Sequence, residues 1–146
     1  MELKIYVSTI IRSDDKILLV KEAKEINFQK WNLPGGSLEP EETIFEGAKR
    51  EVLEETFLTV KLVSFLGVYK RQSLRFVFIG ELVEEGQPQA GDEILETKWF
   101  SQDEIFQLAD EFFVSPVIFR KMVSDYYEGI YYPLTTIFEV NNGEFA

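Results

Sequence analysis

Leu33-Pro34-Gly35-Gly36-Ser37-Leu38-Glu39-Pro40-Glu41-Glu42, running on through Thr43-Ile44-Phe45-Glu46-Gly47-Ala48-Lys49-Arg50 to Glu51-Val52-Leu53-Glu54-Glu55-Thr56-Phe57-Leu58, decides the fold. A glycine-rich loop leads into a helix expected from about Glu41 to Thr56. Ile44, Phe45, Ala48 and Val52 recur at helical spacing and mark its buried stripe. Glu51, Glu54 and Glu55 stand at i, i+3 and i+4, and at ~100° per residue they share one face. Gly47 lies one turn earlier on that side and adds no bulk.

Like charges at this spacing repel by about 0.2–0.5 kcal/mol per pair even when exposed, and by more where the face is partly buried. A divalent cation removes the repulsion. Oxygen-only donors favour a hard ion, Mg²⁺ or Mn²⁺. An isolated acidic run ordinarily does no more than solvate a helix face. The neighbouring residues argue for more. Gly36, Glu42, Arg50, Glu51, Val52, Glu54, Glu55 and Leu58 fall in register with the signature of the MutT-like Nudix hydrolases, which this stretch resembles. The one departure is Phe57, where the family has glycine. Trp31-Asn32-Leu33-Pro34-Gly35-Gly36 is similar to the family's approach to the signature. Trp99-Phe100, after Glu93 and Glu96, is similar to a later landmark.

The resemblance implies an α/β architecture, the Nudix fold: a mixed β-sheet sandwiched between α-helices, with the signature as loop–helix–loop. It implies hydrolysis of a nucleoside diphosphate linked to another moiety. Water attacks a phosphorus while Mg²⁺ or Mn²⁺ neutralises the phosphate oxygens. On that reading Glu51 and Glu55 are the principal metal ligands, and Glu54 is a ligand or the base. Gly36 contributes its main-chain carbonyl. Arg50, with Glu42 as partner, orients the acids, although by spacing alone it faces Glu46 as an ordinary surface pair. Glu96 or Glu93 supplies the further acid that many relatives bring from outside the signature.

Composition sets the bounds. The length of 146 residues suits one domain spanning 1–146 with one sizeable core. Thirteen Phe and six Tyr make that core unusually aromatic. There is no cysteine and no histidine, which excludes disulfides, thiolate sites, a Ser-His-Asp triad and histidine metal ligands. Acid–base chemistry falls to carboxylates, Lys or Tyr. A net charge of −11 opposes duplex nucleic acid, and an anionic substrate needs bridging cations or a local basic patch. No stretch reaches membrane-spanning length, and no leader is evident. A soluble cytoplasmic protein acting on a small-molecule nucleotide is expected, with a homodimer left open.

Along the chain, residues 2–12 alternate, with Leu3, Ile5, Val7 and Thr9 on one side of a strand. A turn at 13–16 returns it as a hairpin. Lys21, Lys24 and Lys30 follow, as surface lysines or as a basic lip to the site. Residues 59–71 and 74–83 read as strands, the second apolar on both faces and hence central. Lys70, Arg71 and Arg75 group at their turn. Glu84 to Asp92 is an acidic loop, and Ile94 to Phe100 a strand. Ser101 opens a capping-box helix to about Ala109, and Ser115-Pro116 opens another to about Glu128, stopped by Gly129. Residues 130–140 read as a last strand or extended segment, and Asn141 onward as a tail.

Candidate substrate contacts are Phe28, an aromatic in a polar loop, with Trp31, Asn32 and Arg75. Trp31 has the stronger claim to the core. Asn32 beside Trp31 is similar to some oxidised-purine nucleotide hydrolases. ADP-ribose enzymes of the family often carry a proline some way past the signature. This chain has Ser73-Leu74 there, and no proline until Pro88. A nucleoside triphosphate pyrophosphohydrolase is therefore favoured. The rival is a non-catalytic nucleotide-sensing or interaction domain on the same scaffold, with Phe57 as its only support. Phe57 is expected to shift the helix end or to cover apolar surface, because phenylalanine resists the left-handed conformation that glycine accepts.

Overall fold

The computed structural model describes residues 3–140. The start of the first strand at residue 2 and the tail from Asn141 lie outside the described residues. The hairpin forms as expected, from β1 (Ile5–Ser13) and β2 (Lys16–Glu22). Two short strands follow, β3 (Trp31–Asn32) and β4 (Gly35–Ser37). Next come α1 (Ile44–Thr56), β5 (Val60–Lys70), β6 (Leu74–Leu82), β7 (Ile94–Ser101), α2 (Gln102–Gln107) and α3 (Pro116–Tyr127).

The sheet is mixed. Its main order is β3-β2-β1-β6-β5, with β4 pairing β1 and β7 pairing β2. Among the described strands only β1 and β6 pair in parallel, from Ile5↔Leu74 to Ile11↔Gly80. β1 touches β2 only near the turn, at Arg12↔Ile17 and Ser13↔Lys16. Its first half pairs β4 instead, at Tyr6↔Ser37, Val7↔Gly36 and Ser8↔Gly35. That divergence brings the glycine-rich loop against the middle of the sheet.

Helices cover both faces. On one, Ile44, Ala48 and Val52 of α1 pack with Val7, Ile11, Leu18 and Phe78. On the other, Phe119, Met122 and Val123 of α3 and Ile105 of α2 pack with Ile10, Leu19, Val77 and Ile79. Each fully buried Val, Ile or Leu side chain contributes about 1.5–3 kcal/mol. With both faces covered, β1 is buried without interruption from Val7 to Ile11, rather than alternating as its sequence suggests. β6 is central, as expected, between β1 and β5.

Some element ends differ from expectation. α1 starts at Ile44, not Glu41, because Thr43 and Glu46 form a reciprocal capping box. The capping box at Ser101 and Glu104 opens α2 as expected, and the helix ends at Gln107. Ser115 precedes Pro116 as expected but does not cap α3. It is held in the left-handed region at φ 43, and its hydroxyl accepts from Arg71 at 3.2 Å. Residues 130–140 form no strand. Tyr132 makes one bridge to Phe65, and Pro133, lacking an N–H, precedes a short 3-10 turn at Leu134–Thr136. Among the described residues no helix is long and apolar enough to cross a membrane.

Candidate active site

Glu51 and Glu55 leave α1 toward β4, where glycines let them pass. A Cβ built on Gly36 would lie 2.6 Å from the Glu51 carboxylate, so any side chain there would push Glu51 aside. The Gly35 N–H donates to Glu55 Oε1 at 2.9 Å. The loop before α1 thus touches two of the three acids directly.

Arg50 gathers the rest. Its Nε and Nη2 donate to the two Glu42 oxygens at 2.9 and 2.7 Å, a bidentate fork. Nη1 donates to Glu51 at 3.0 Å and to Glu54 at 3.1 Å. Nη2 also reaches the Ser37 carbonyl at 3.1 Å. These bonds, Glu42's above all, raise the guanidinium above its ordinary value. The same hydrogen bond holds Glu42 below the usual carboxylate range. Glu46 is not Arg50's partner, since its carboxylate accepts from the Thr43 N–H.

Glu55 is in the opposite condition. Burial pushes its carboxyl up to about 9, with only the Gly35 hydrogen bond and distant Lys24 pulling down and the charges of Glu22 and Glu51 adding to the rise. Burial also raises Glu51 against the pull of Arg50, and it raises Glu22. Three carboxyls in one place are therefore held towards the neutral form, chiefly by burial.

The far end of α1 is tied as firmly. The N–H groups of Gln89, Gly91 and Asp92 donate to the carbonyls of Thr56, Glu55 and Glu54 at 2.9, 2.9 and 3.1 Å. Helix-end carbonyls that would otherwise lack partners are met by this loop. A Cβ on Gly91 would fall 1.9 Å from the Glu54 carbonyl oxygen, so only glycine passes. The docking delivers Asp92 and Glu93 to the acids. Phe57 closes the helix in the left-handed conformation, φ 61 and ψ 16, with its N–H on the Leu53 carbonyl. It does there what glycine does elsewhere, and its ring is 60% exposed. The helix end is not shifted, and Phe57 covers little apolar surface.

These residues open on a cleft of about 780 Å³. Glu22, Asp92 and Glu93 line it together with the acids of α1. Lys4, Lys24, Arg71 and Arg75 supply positive charge to the same space. Tyr69 and the start of α3 complete the lining.

Residues 3–121 match the family model described as the NUDIX domain. The chain belongs to the Nudix family. It is 32% identical over 143 residues to the phosphatase NudJ of Escherichia coli K12, covering 92% of this chain and 90% of that protein. A NUDIX hydrolase from Nitrosomonas europaea superposes with a TM-score of 0.86 at 32% identity, covering 97% of this chain and 99% of that one. A second NUDIX hydrolase structure from the same organism gives 0.74 at 27% identity, covering 91% and 76%. This Nudix protein is a hydrolase of phosphorus-containing anhydrides, acting on pyrophosphate bonds of nucleotide-like substrates. Nudix hydrolases generally use divalent metal ions. The reading of the chain as a non-catalytic domain loses its support with the geometry of Phe57.

In this Nudix hydrolase the cleft gathers Gly36, Glu51, Glu54, Glu55, Asn32 and Arg75 from the residues singled out in the sequence. Arg50 sits behind the acids. Asn32 Oδ1 accepts from the Leu33 N–H at 2.9 Å. Three expected contacts lie elsewhere. Glu96 points away and pairs with Lys21 at 3.2 Å, because its place on β7 sits opposite Lys21 of β2. Phe28 is 52% exposed and off the cleft, where Ile26 and Asn27 line instead. Trp31 is core, 7% exposed and edge-on to Phe100. Of the basic-lip lysines only Lys24 lines the cleft, paired with Glu93 at 3.0 Å. Sequence reading missed Glu22, Tyr69 and Lys4. Glu22 carries no local signal, since only the fold of the hairpin brings it beside Glu55.

Proposed function

We propose that this protein is a Mg²⁺- or Mn²⁺-dependent pyrophosphohydrolase of nucleoside triphosphates. The carrying observation is the charge arrangement of one cleft. Clustered carboxyls offer oxygen donors to a cation on one side of the cleft, and Arg75 and Lys4 offer positive charge to an anion on the other. A phosphoanhydride chelated to a hard divalent ion meets both.

The residues suit such an ion by donor chemistry. Glu51, Glu54, Glu55 and the Gly36 carbonyl offer oxygen only. Among the described residues no three acids already form a finished cation cage. Arg50 now holds Glu51 and Glu54, so an ion would compete with it for those oxygens. A bound ion supplies charge neutralisation for the phosphate oxygens and acidity for the attacking water. Glu51 and Glu55 are the principal ligands on this reading, and Glu54 is a ligand or the base that accepts the water proton. Arg50 fixes Glu51 and Glu54 in orientation. Glu93, at the cleft, takes the role of outlying acid in preference to Glu96.

The test is incubation with a panel of nucleoside triphosphates, nucleoside diphosphate sugars and dinucleotides, with Mg²⁺, Mn²⁺ or chelator, and identification of products. A nucleoside monophosphate plus pyrophosphate, formed only with the ion, is the expected result. Turnover confined to the sugar conjugates would overturn the substrate class.

A further inference from the structure

Four strands carry a straight row of side chains across the cleft. Ser37 of β4 stands opposite Tyr6 of β1, Tyr6 opposite Arg75 of β6, and Arg75 opposite Tyr69 of β5. Directly paired residues project to the same face, and all four line the cleft. Neighbouring strands lie about 4.8 Å apart, so Tyr69 stands roughly 14 Å from Ser37. Ser37 is the strand residue beside the acids. Its carbonyl receives Arg50, and Gly36 next to it abuts Glu51.

The middle and far end of the row have distinct chemistry. Arg75 is half-buried, and that burial lowers its guanidinium below the ordinary value. It stacks on Tyr6 at 5.2 Å and donates to the Ser8 hydroxyl at 2.7 Å, and it forms no salt bridge among the described residues. Its position suits a phosphate. Tyr69 at the far end is fixed from behind. Its hydroxyl donates to Asp125 Oδ2 at 2.7 Å, and Lys121 donates to the other oxygen at 2.7 Å. Asp125 is 6% exposed on α3. Ile118 and Met122, on the same helix, line the cleft beside the ring. Nothing in α1 or the phosphate chemistry requires this arrangement.

We propose that Tyr69 is the recognition surface for the planar organic group of the substrate, and that Asp125 is the residue that positions it. This deepens the proposed function and rests on it for the phosphate end. The row then acts as a ruler. The scissile anhydride lies over β4, a phosphate lies at Arg75, and a ring joined through a short linker reaches Tyr69. A nucleobase separated from its phosphates by one sugar has that form.

The experiment compares KM and kcat for the best nucleoside triphosphate with the inhibition constant of inorganic tripolyphosphate, which has no ring. Stacking of a base on an aromatic side chain is worth enough that Tyr69→Leu should raise KM about tenfold. Its kcat should stay within about twofold, and tripolyphosphate inhibition should be unchanged. Tyr69→Phe keeps the ring but loses the bond to Asp125, and should fall between parent and Tyr69→Leu. Asp125→Ala should match Tyr69→Phe, while Asp125→Asn, which retains an oxygen acceptor, should restore KM. Unchanged KM in Tyr69→Leu overturns the proposal, as does a tripolyphosphate constant that rises in step with KM. If Tyr69→Leu does not fold, unchanged KM in both Tyr69→Phe and Asp125→Ala overturns it. If no triphosphate is turned over, the reaction assignment fails by itself. Calorimetric titration of the same nucleotides then reads the ring site, and equal affinity for parent and Tyr69→Leu, or none for the parent, overturns it.

Discussion

The N–H of Ile44 donates to both carboxylate oxygens of Glu139, each at 2.9 Å, across 95 positions of sequence. Thr43 and Glu46 satisfy their own two N–H groups, and Glu139 satisfies the next. The segment that delivers it packs Leu134 and Ile137 against the α1 side of the sheet. A carboxylate at a helix N-terminus also opposes the helix dipole. Glu139→Ala is expected to lower stability by about 1 kcal/mol, as loss of a cap does. Glu139→Gln should lose about half of that, since it keeps an oxygen without the charge. Urea midpoints at constant slope check both.

Phe57 occupies a left-handed position at φ 61 with its ring 60% exposed. A side chain in that conformation costs about 1–2 kcal/mol relative to glycine. Phe57→Gly is therefore expected to raise stability by about 0.5–1 kcal/mol after the loss of the ring's partial burial and the added freedom of the unfolded chain. Turnover should stay within about twofold. A lower melting temperature would show that the ring packs more than its exposure indicates.

Removal of charge from the acids should separate chemistry from folding. Glu54→Gln and Glu55→Gln are each expected to lower kcat by about 10²–10⁴-fold with the melting profile kept, because Gln preserves size and helix propensity. Glu41→Gln, on an exposed residue ahead of α1, is the control. Arg50→Lys cannot reproduce a fork that serves Glu42, Glu51, Glu54 and Ser37 together, and should lower both kcat and stability. Near-parent kcat in both glutamine variants would remove the signature helix from the chemistry.

The ion-free protein should lose stability as pH rises. Burial holds Glu55 protonated up to about 9, whereas the unfolded chain releases that proton near the ordinary carboxylate value of 4.5. Between these values the folded state binds more protons, so stability falls with pH across the interval and is fully present only below it. Glu51 and Glu22, also raised, act in the same direction. Melting in chelator from pH 5 to 9 should show the decline. Millimolar Mn²⁺ should flatten it and raise stability, by about 2.7 kcal/mol at 100 times its dissociation constant. Equal curves with and without the ion would count against the metal site.

Much of the fold was legible, for physical reasons that differ by element. The acids of α1 share a face because helical period is local, and the capping boxes at Thr43 and Ser101 are local too. The apolar run of β6 announced a central strand. Glu96 was misplaced because one residue of register on β7 turns it toward Lys21 and away from the cleft. Glu22 and Tyr69 reach the cleft only through pairings between distant strands, which no window of sequence contains. Phe57 looked like a defect because propensity disfavours its conformation, yet it closes the helix there with its N–H on the Leu53 carbonyl.

The loop from Gln89 to Asp92 grips the end of α1 with three main-chain N–H groups and, apart from the space left at Gly91, asks nothing of its side chains. It can be rewritten in composition but not in length. Substitutions at Gln89 or Ala90, which do not line the cleft, would leave the grip in place. A one-residue insertion there would slide Asp92 and Glu93 off the acids and free the helix end at a single stroke.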